Sequence, residues 1–380
     1  MLNKRRKILF YTHALTGGGA ERVIAVLASG LALRGHDVTL AVDFVAMENR
    51  HMVDPSVRIV TLGESHVLSV LRLAWLLFRE KPEAALSALS ISNIKLFLAA
   101  LFTGNLSRSI LGYHGYSVSE PQFISRISYA LTPLMSRMAA ATVCVSDGLR
   151  QYVIDKWRGA PSRLHRIYNP VSTGPAMANA MEPQRENLVL ASGRMVDYKN
   201  FVSLVRAFAK VEPRDARLVI LGQGPEHKSI QKEIDRQGLG DRVMLAGYVD
   251  EPWVWYRRAR CFALSSTSES FGLVIVEAMA NGVPIVSTDC DGPREILQGG
   301  RLGRLAPIGD DDALAAAITA TLTEEPDASA LRRRARDFSL DAGLDNYGDL
   351  IAQVINRAEG AKAAPPAVAP VPVSNRERRP

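Results

Sequence analysis

Two Rossmann-like, doubly wound α/β domains facing each other across a cleft are what this sequence predicts, and three observations carry the prediction. Short runs rich in Val, Ile and Leu alternate with helical patterns, first over residues 7–170 and again from 186, as parallel strands covered by helices on both faces would read. The two runs are separated by NPVSTGPAMANAMEP (169–183), a stretch of Pro, Gly and small residues that reads as a linker. At 380 residues the chain also exceeds the ~250 to 300 at which one hydrophobic core stops growing.

In the first run KILFYTH (7–13) reads as a buried strand and TGGGAER (16–22) as a glycine-rich turn, followed by a helix to about Leu33. Gly35-His36 then turn the chain into the strand DVTLAV. An apolar helix near 67–78, the strand EAALSAL, a helix over 91–103, the strand SRSILGYH, a helix over 121–138, the strand ATVCVS, a helix over 147–157 and LHRIYNP complete the run. The strands of the second run are ENLVLASGR, RLVILGQG, DRVMLAGY, CFALSS and VPIVST. A ligand crevice is expected outside the carboxyl ends of the strands, between the halves. Residues 329–358 read as helical, and AKAAPPAVAPVPVSNRERRP (361–380) as a disordered Ala/Pro-rich tail with a basic end.

Composition narrows the class. A 47% hydrophobic content with 22% charged residues is that of a soluble globular protein. The three cysteines, Cys144, Cys261 and Cys290, are odd in number and lie in apolar contexts, which implies neither a disulfide framework nor a metal cluster and fits a reducing cytoplasm. MLNKRRKILFYTH starts basic, but its apolar run is too short for a signal-peptide core. No stretch reaches the ~18 to 20 apolar residues of a membrane span. A net charge of +7 admits nucleic acid, a membrane surface or an anionic substrate and does not choose among them.

The chemistry concentrates in SSTSESFGLVIVEAMANG (265–282), a polar loop running into an apolar helix that ends at Gly282. A helix starting at Phe271-Gly272 aims free backbone N–H groups at whatever lies in front of it, and a glycine there lets an anion approach, so phosphate is the natural guest. Glu277 is surrounded by Leu273, Val274, Ile275, Val276, Ala278 and Met279. Such a carboxylate must accept hydrogen bonds to be buried, and sugar hydroxyls are suitable donors. With seven residues between Glu269 and Glu277, this unit resembles the Glu-x7-Glu signature of the retaining glycosyltransferases of glycosyltransferase family 4.

A second segment strengthens the resemblance. SGRMVDYKN (192–200) matches that family's GR-x-x-x-x-K-N pattern, which implies that Arg194 and Lys199 contact the donor phosphates. The resemblance further implies the GT-B fold, a ribose contact for Glu277, and a place beside the transferred sugar for Glu269 and for His114, which ends the strand SRSILGYH. It places Gly18 and Gly19 of the first glycine-rich loop against the donor diphosphate or the acceptor, and Gly272 and Leu273 of the helix start against the donor diphosphate. It sends the last helix back to the first domain, giving an expected partition of 1–170 (acceptor domain), 171–186 (linker), 187–335 (donor domain), 336–360 (returning helix) and 361–380 (tail).

Two competing motifs are weighed on their residues. TGGGAER with Gly17, Gly19 and the acidic Asp43 approaches a dinucleotide fingerprint, but Arg22 stands where its third glycine belongs. Asp289-Cys290-Asp291 is an Asp-x-Asp of the kind that holds a divalent ion, yet Arg194 and Lys199 already supply positive charge, so no metal or other cofactor is expected. The expected activity is transfer of a sugar from a nucleotide donor, UDP by preference, to a glycan acceptor such as a polyprenyl-diphosphate-linked saccharide. The alternatives are a sugar-nucleotide epimerase of the same fold and a non-catalytic nucleotide-sugar binder. The apolar stretches 67–78 and 93–102, with Arg72, Arg79, Lys81, Lys95 and Arg108 in or near them, read as core-packing helices or as a surface resting on an anionic cytoplasmic leaflet.

Overall fold

A computed structural model describes residues 4–16, 18–44, 49–117, 122–171, 185–324 and 327–363. Gly17 and most of the expected linker and tail lie outside the described residues.

Two parallel sheets result. The first has seven strands: β1 (Lys7–Ala14), β2 (Asp37–Phe44), β3 (Arg58–Thr61), β4 (Ala84–Ala88), β5 (Ser109–Tyr113), β6 (Ala141–Cys144) and β7 (Leu164–Arg166), in the order β3-β2-β1-β4-β5-β6-β7. The second has six: β8 (Glu186–Ser192), β9 (Arg217–Leu221), β10 (Val243–Gly247), β11 (Ala259–Leu264), β12 (Ile285–Thr288) and β13 (Arg304–Ala306), in the order β10-β9-β8-β11-β12-β13. Strand order reverses at β1/β4 in one sheet and at β8/β11 in the other, and that reversal leaves a crevice at the strands' carboxyl ends. β3 and β13 were not among the expected strands. Each is an edge strand of four residues or fewer with a partly exposed pattern, too short to register as periodicity.

The helices of the first half are α1 (Gly19–Leu33), α2 (His66–Glu80), α3 (Ser90–Phe102), α4 (Phe123–Met138) and α5 (Asp147–Asp155). Those after it are α6 (Phe201–Phe208), α7 (His227–Arg236), α8 (Trp253–Arg258), α9 (Leu273–Ala280), α10 (Asp291–Ile296), α11 (Asp311–Thr323), α12 (Ala328–Arg336) and α13 (Leu340–Ala363). α13 returns to the first sheet, where Leu344, Tyr347, Leu350 and Ile351 join a core with Leu27 and Leu31 of α1. Gly30 permits the approach, since a Cβ there would lie 2.6 Å from the Leu344 side chain. The last described residue of the first half lies beside the segment leading into α13: Val171 N donates to Phe338 O at 2.8 Å. Phe271, Tyr168 and Phe338 pack around that point in edge-on and tilted contacts with centroids 4.9–5.9 Å apart, holding the site loop there.

α2 and α4 leave one side unburied. On α2, Val67, Leu71, Trp75 and Phe78 are 56–70% exposed. On α4, Phe123, Ile127, Leu131, Leu134 and Met138 form a parallel stripe, all 36% exposed or more. The reading of 67–78 as purely core-packing is therefore corrected: Leu73, Leu76 and Leu77 face the core while the opposite face is apolar too. Lys95 is corrected in the other direction. Expected near a charged surface, it is 3% exposed and ion-paired to Asp43. No helix among the described residues is long and apolar enough to cross a membrane.

Candidate active site

The cleft between the two switch points encloses about 500 Å³, within the range of small-molecule sites. Every wall begins at the carboxyl end of a strand. β1 contributes His13 and is followed by Thr16, Gly18 and Gly19; β4 is followed by Leu89 and Ser92; β5 is followed by His114. From the other half come Ser192 to Lys199 after β8 and Ser268 to Val274 after β11.

Two helices point their amino ends into this space. α1 starts behind Gly18 and α9 behind Gly272, and neither N-cap residue supplies a side-chain bond; the Glu21 carboxylate already accepts from backbone in the first turn of α1, whereas the first-turn N–H groups of α9 remain for a ligand. Gly272 has φ +107, a conformation that side-chain-bearing residues rarely adopt. Gly19 lies so close to Leu273 that a Cβ would approach its Cδ1 to 3.0 Å, and the two helix starts thus face each other directly. Gly18, Gly19, Gly272 and Leu273 all line the cleft.

Among the charged groups, Arg194 lines the cleft as an exposed side chain. Lys199 is largely buried, and its Nζ pairs with Glu269 Oε2, also largely buried. Burial opposes the charge on Lys199, but Glu269 outweighs it and raises the pKa. Gly292 N donates to Glu269 O at 3.1 Å, so the segment after β12 braces the glutamate. The same segment disposes of the Asp-x-Asp reading. Asp289 chelates Arg294, while Asp291 Oδ2 accepts from Tyr116 OH at 2.6 Å across the cleft. The two carboxylates serve different partners.

His114 lies beside these groups and lines the cleft. Burial lowers its pKa to about 4, which keeps the ring neutral at ordinary pH. A side-chain hydrogen bond with the neighbouring Asn169 opposes that shift, and both residues line the cleft.

Glu277 is where the structure departs from expectation. It does not line the cleft; it is 2% exposed and already satisfied by protein donors. Arg22 Nη1 reaches Oε1 at 2.7 Å from α1, and Tyr256 OH reaches Oε2 at 2.9 Å. The donors that make its burial tolerable are thus an arginine and a tyrosine. Arg22 itself does line the cleft, as do Glu21, whose pKa burial raises, and His13. The sequence reading assigned none of these three a role. Glu21 and Arg22 were visible within TGGGAER and His13 at the end of β1, but no local signal said that they face the second half. Asp43, weighed as a ribose ligand of a dinucleotide fold, is fully buried and held by Tyr11 OH at 2.9 Å and His13 Nδ1 at 2.6 Å, which removes that reading.

The chain matches known proteins over nearly all of this architecture. Residues 17–174 match the model described as Glycosyltransferase Family 4, and residues 176–338 match Glycosyl transferases group 1. A Rhizobium meliloti lipopolysaccharide core biosynthesis glycosyltransferase, LpsE, is 28% identical over 352 residues, covering 88% of this chain and 96% of the relative. A Campylobacter jejuni N-acetylgalactosaminyltransferase, named for a diphospho-undecaprenol-linked acceptor, is 24% identical over 350 residues and covers 87% of this chain and 94% of its own. Among solved structures, Anabaena HepE in complex with UDP and glucose superposes with a TM-score of 0.76 at 20% identity, over 92% of this chain and 100% of that one. The apo form of the lipopolysaccharide outer core galactosyltransferase WaaB gives 0.71 at 19% identity, over 91% and 99%. With its two facing parallel sheets, its paired helix starts at one cleft and these matches, the chain has the GT-B fold and is a glycosyltransferase belonging to glycosyltransferase family 4.

Proposed function

We propose that the protein transfers a sugar from a UDP-sugar, with retention of anomeric configuration and without a metal, to a saccharide carried on a polyprenyl diphosphate. The observation that carries this reading is the convergence of two helix starts with Arg194 and Lys199 in one cleft. Together they offer a diphosphate oriented N–H groups and fixed positive charge, the role a metal ion plays elsewhere. As the bond from the sugar to the diphosphate breaks, negative charge grows on the leaving oxygen, and these groups stabilise it without reorganising. Glu269 holds Lys199 and faces the sugar, and the neutral His114, beside Asn169, lies where sugar hydroxyls would come. In this reading the ribose reaches Glu277 as Arg22 turns from its carboxylate toward the phosphates. A related transferase named for a polyprenyl-linked acceptor supports the acceptor class. The apolar stripes of α2 and α4, with Arg72, Arg79, Arg126 and Arg137 on the same helices, support docking on an anionic leaflet, where apolar burial and basic side chains act together.

The test is turnover of a panel of UDP-, GDP- and ADP-sugars against lipid-linked saccharides, with product mass and anomeric configuration determined with and without EDTA. A UDP-sugar should give a retained glycoside unaffected by the chelator. An isomerised donor without acceptor, an inverted product or metal-restored loss of activity would overturn the corresponding part. Calorimetry of UDP binding tests the residue roles: Glu277→Gln should weaken it, whereas Glu269→Gln should spare it and lower kcat.

A further inference from the structure

Where β4 turns into α3, the backbone is held in a conformation that a leucine rarely adopts. Leu89, the residue between the two elements, has φ +72 and ψ +154, a region left almost entirely to glycine because a Cβ there crowds the backbone. The turn is pinned by hydrogen bonds. Leu89 N donates to Gly112 O at 3.1 Å, and Leu89 O accepts from Asn93 N at 2.9 Å. The buried Asn93 side chain in turn accepts from Gly112 N at 3.1 Å and donates to Gly112 O at 2.8 Å. These bonds hold the turn whichever side chain residue 89 carries, so a glycine would fit it with less strain. Leu89 is half-buried and lines the cleft. Strain kept at such a place points to a role for the side chain that causes it.

Its neighbours on that wall are apolar as well. Ile91, in the first turn of α3, and Phe44, at the end of β2, are half-buried and line the cleft. Phe44 pairs with Ala14 of β1, the strand between β2 and β4, so Phe44, Ala14 and Leu89 follow one another across the carboxyl ends of three adjacent strands. We infer that these side chains form a ledge for the acceptor and that Leu89 is a specificity-determining residue on it; the inference rests on the glycosyl-transfer reading. A pyranose ring has faces made of C–H groups and a rim of hydroxyls. The ledge takes one face and removes it from water, while the rim stays with the polar groups of the cleft. The side chains of Phe44, Leu89 and Ile91 bring no donor for a phosphate or carboxylate, so this wall favours a neutral pyranose over an acyclic, anionic acceptor.

The experiment compares Leu89→Gly, Leu89→Ala and Leu89→Met with wild type, using the donor and acceptor that turn over in the panel above. Acceptor KM should rise about 10-fold in the glycine and alanine variants, with kcat and calorimetric UDP binding unchanged. Leu89→Met should bring it back near the wild-type value, since an apolar side chain of similar size is restored. Urea unfolding separates backbone from side chain. Glycine and alanine both remove the contact, and glycine is ordinarily the less stable of the two. At residue 89 the order should reverse, with the Leu89→Gly midpoint above that of Leu89→Ala. An unchanged acceptor KM in both variants, UDP binding weakened as much as the acceptor KM is raised, or a Leu89→Gly midpoint below that of Leu89→Ala would overturn the inference. So would wild-type turnover of glycerol phosphate as efficient as that of a neutral pyranoside. A wild type with no turnover of any donor would instead defeat the transferase reading itself and this assignment with it.

Discussion

The two walls of the cleft bury their charges to different depths, as the Lys199–Glu269 and Lys95–Asp43 pairs show. The wall from the second half presents Arg194 as an exposed side chain and an uncapped helix start at Gly272. The wall from the first half also lines the cleft with Arg22, paired to Glu277, but behind it lies a fully internal pair, Asp43 and Lys95, each 3% exposed or less and neutralising each other. An exposed cation beside oriented N–H groups attracts an anion, whereas a balanced buried cluster attracts none and serves to hold a side chain still. The difference teaches that within one cleft an exposed charge stays open to ligand and solvent while a fully buried pair serves to fix side chains.

Breaking the first wall should show first in stability. Asp43→Asn strands the buried Lys95 charge and should cost about 3 to 5 kcal/mol, measured by urea unfolding, whereas Arg194→Ala should leave the unfolding midpoint unchanged. Equal stability of Asp43→Asn and wild type would mean that the cluster is not the scaffold described.

Breaking the second wall should show in catalysis. Arg194→Ala or Lys199→Ala should remove about 2 to 4 kcal/mol of transition-state stabilisation, read as a loss of kcat/KM for the UDP-sugar. Near-normal kcat/KM in both would remove the diphosphate assignment.

A comparison of pH windows sharpens the contrast. The His114 pKa is held near 4 against an ordinary 6.5, so the unfolded chain binds a proton that the fold refuses. Stability should therefore fall as pH drops from about 6.5 to about 4, by up to about 3 kcal/mol from this residue. His114→Asn should abolish that part of the decline in unfolding midpoints taken between pH 7 and pH 4.5. Asp43, with its pKa below 3.8, stabilises above its unfolded value and loses that contribution only as pH falls below it. An unchanged slope in the His114 variant would place its ring in water.

The smallest change in stability is expected outside the cleft. Trp75→Ser with Phe78→Ser alters side chains that are 57% and 67% exposed and should shift unfolding by no more than about 0.5 kcal/mol each. Flotation with anionic liposomes should nevertheless weaken, and binding of the unaltered protein should decline as salt rises. Flotation unchanged by the pair would remove α2 from the membrane surface.

Much of this molecule was determined by local sequence. The twofold βα alternation dictated two parallel sheets because side-chain periodicity acts over one element at a time. The contiguous segments 192–200 and 265–282 revealed Arg194, Lys199, Glu269 and Gly272 because each forms one loop at the end of one strand. The tertiary structure alone decided the rest. Glu277 receives Arg22 from 255 positions away, and the sequence around either residue contains no sign of the other. Lys95 looks like any basic residue of an apolar helix until β2 places Asp43 against it, 52 positions distant. His13, likewise, reads as the end of a strand until Asp43 fixes one of its nitrogens. Whether a charge is solvated, paired or poised depends on burial and on partners a few ångströms away in space, and those are set only when separate elements close around it.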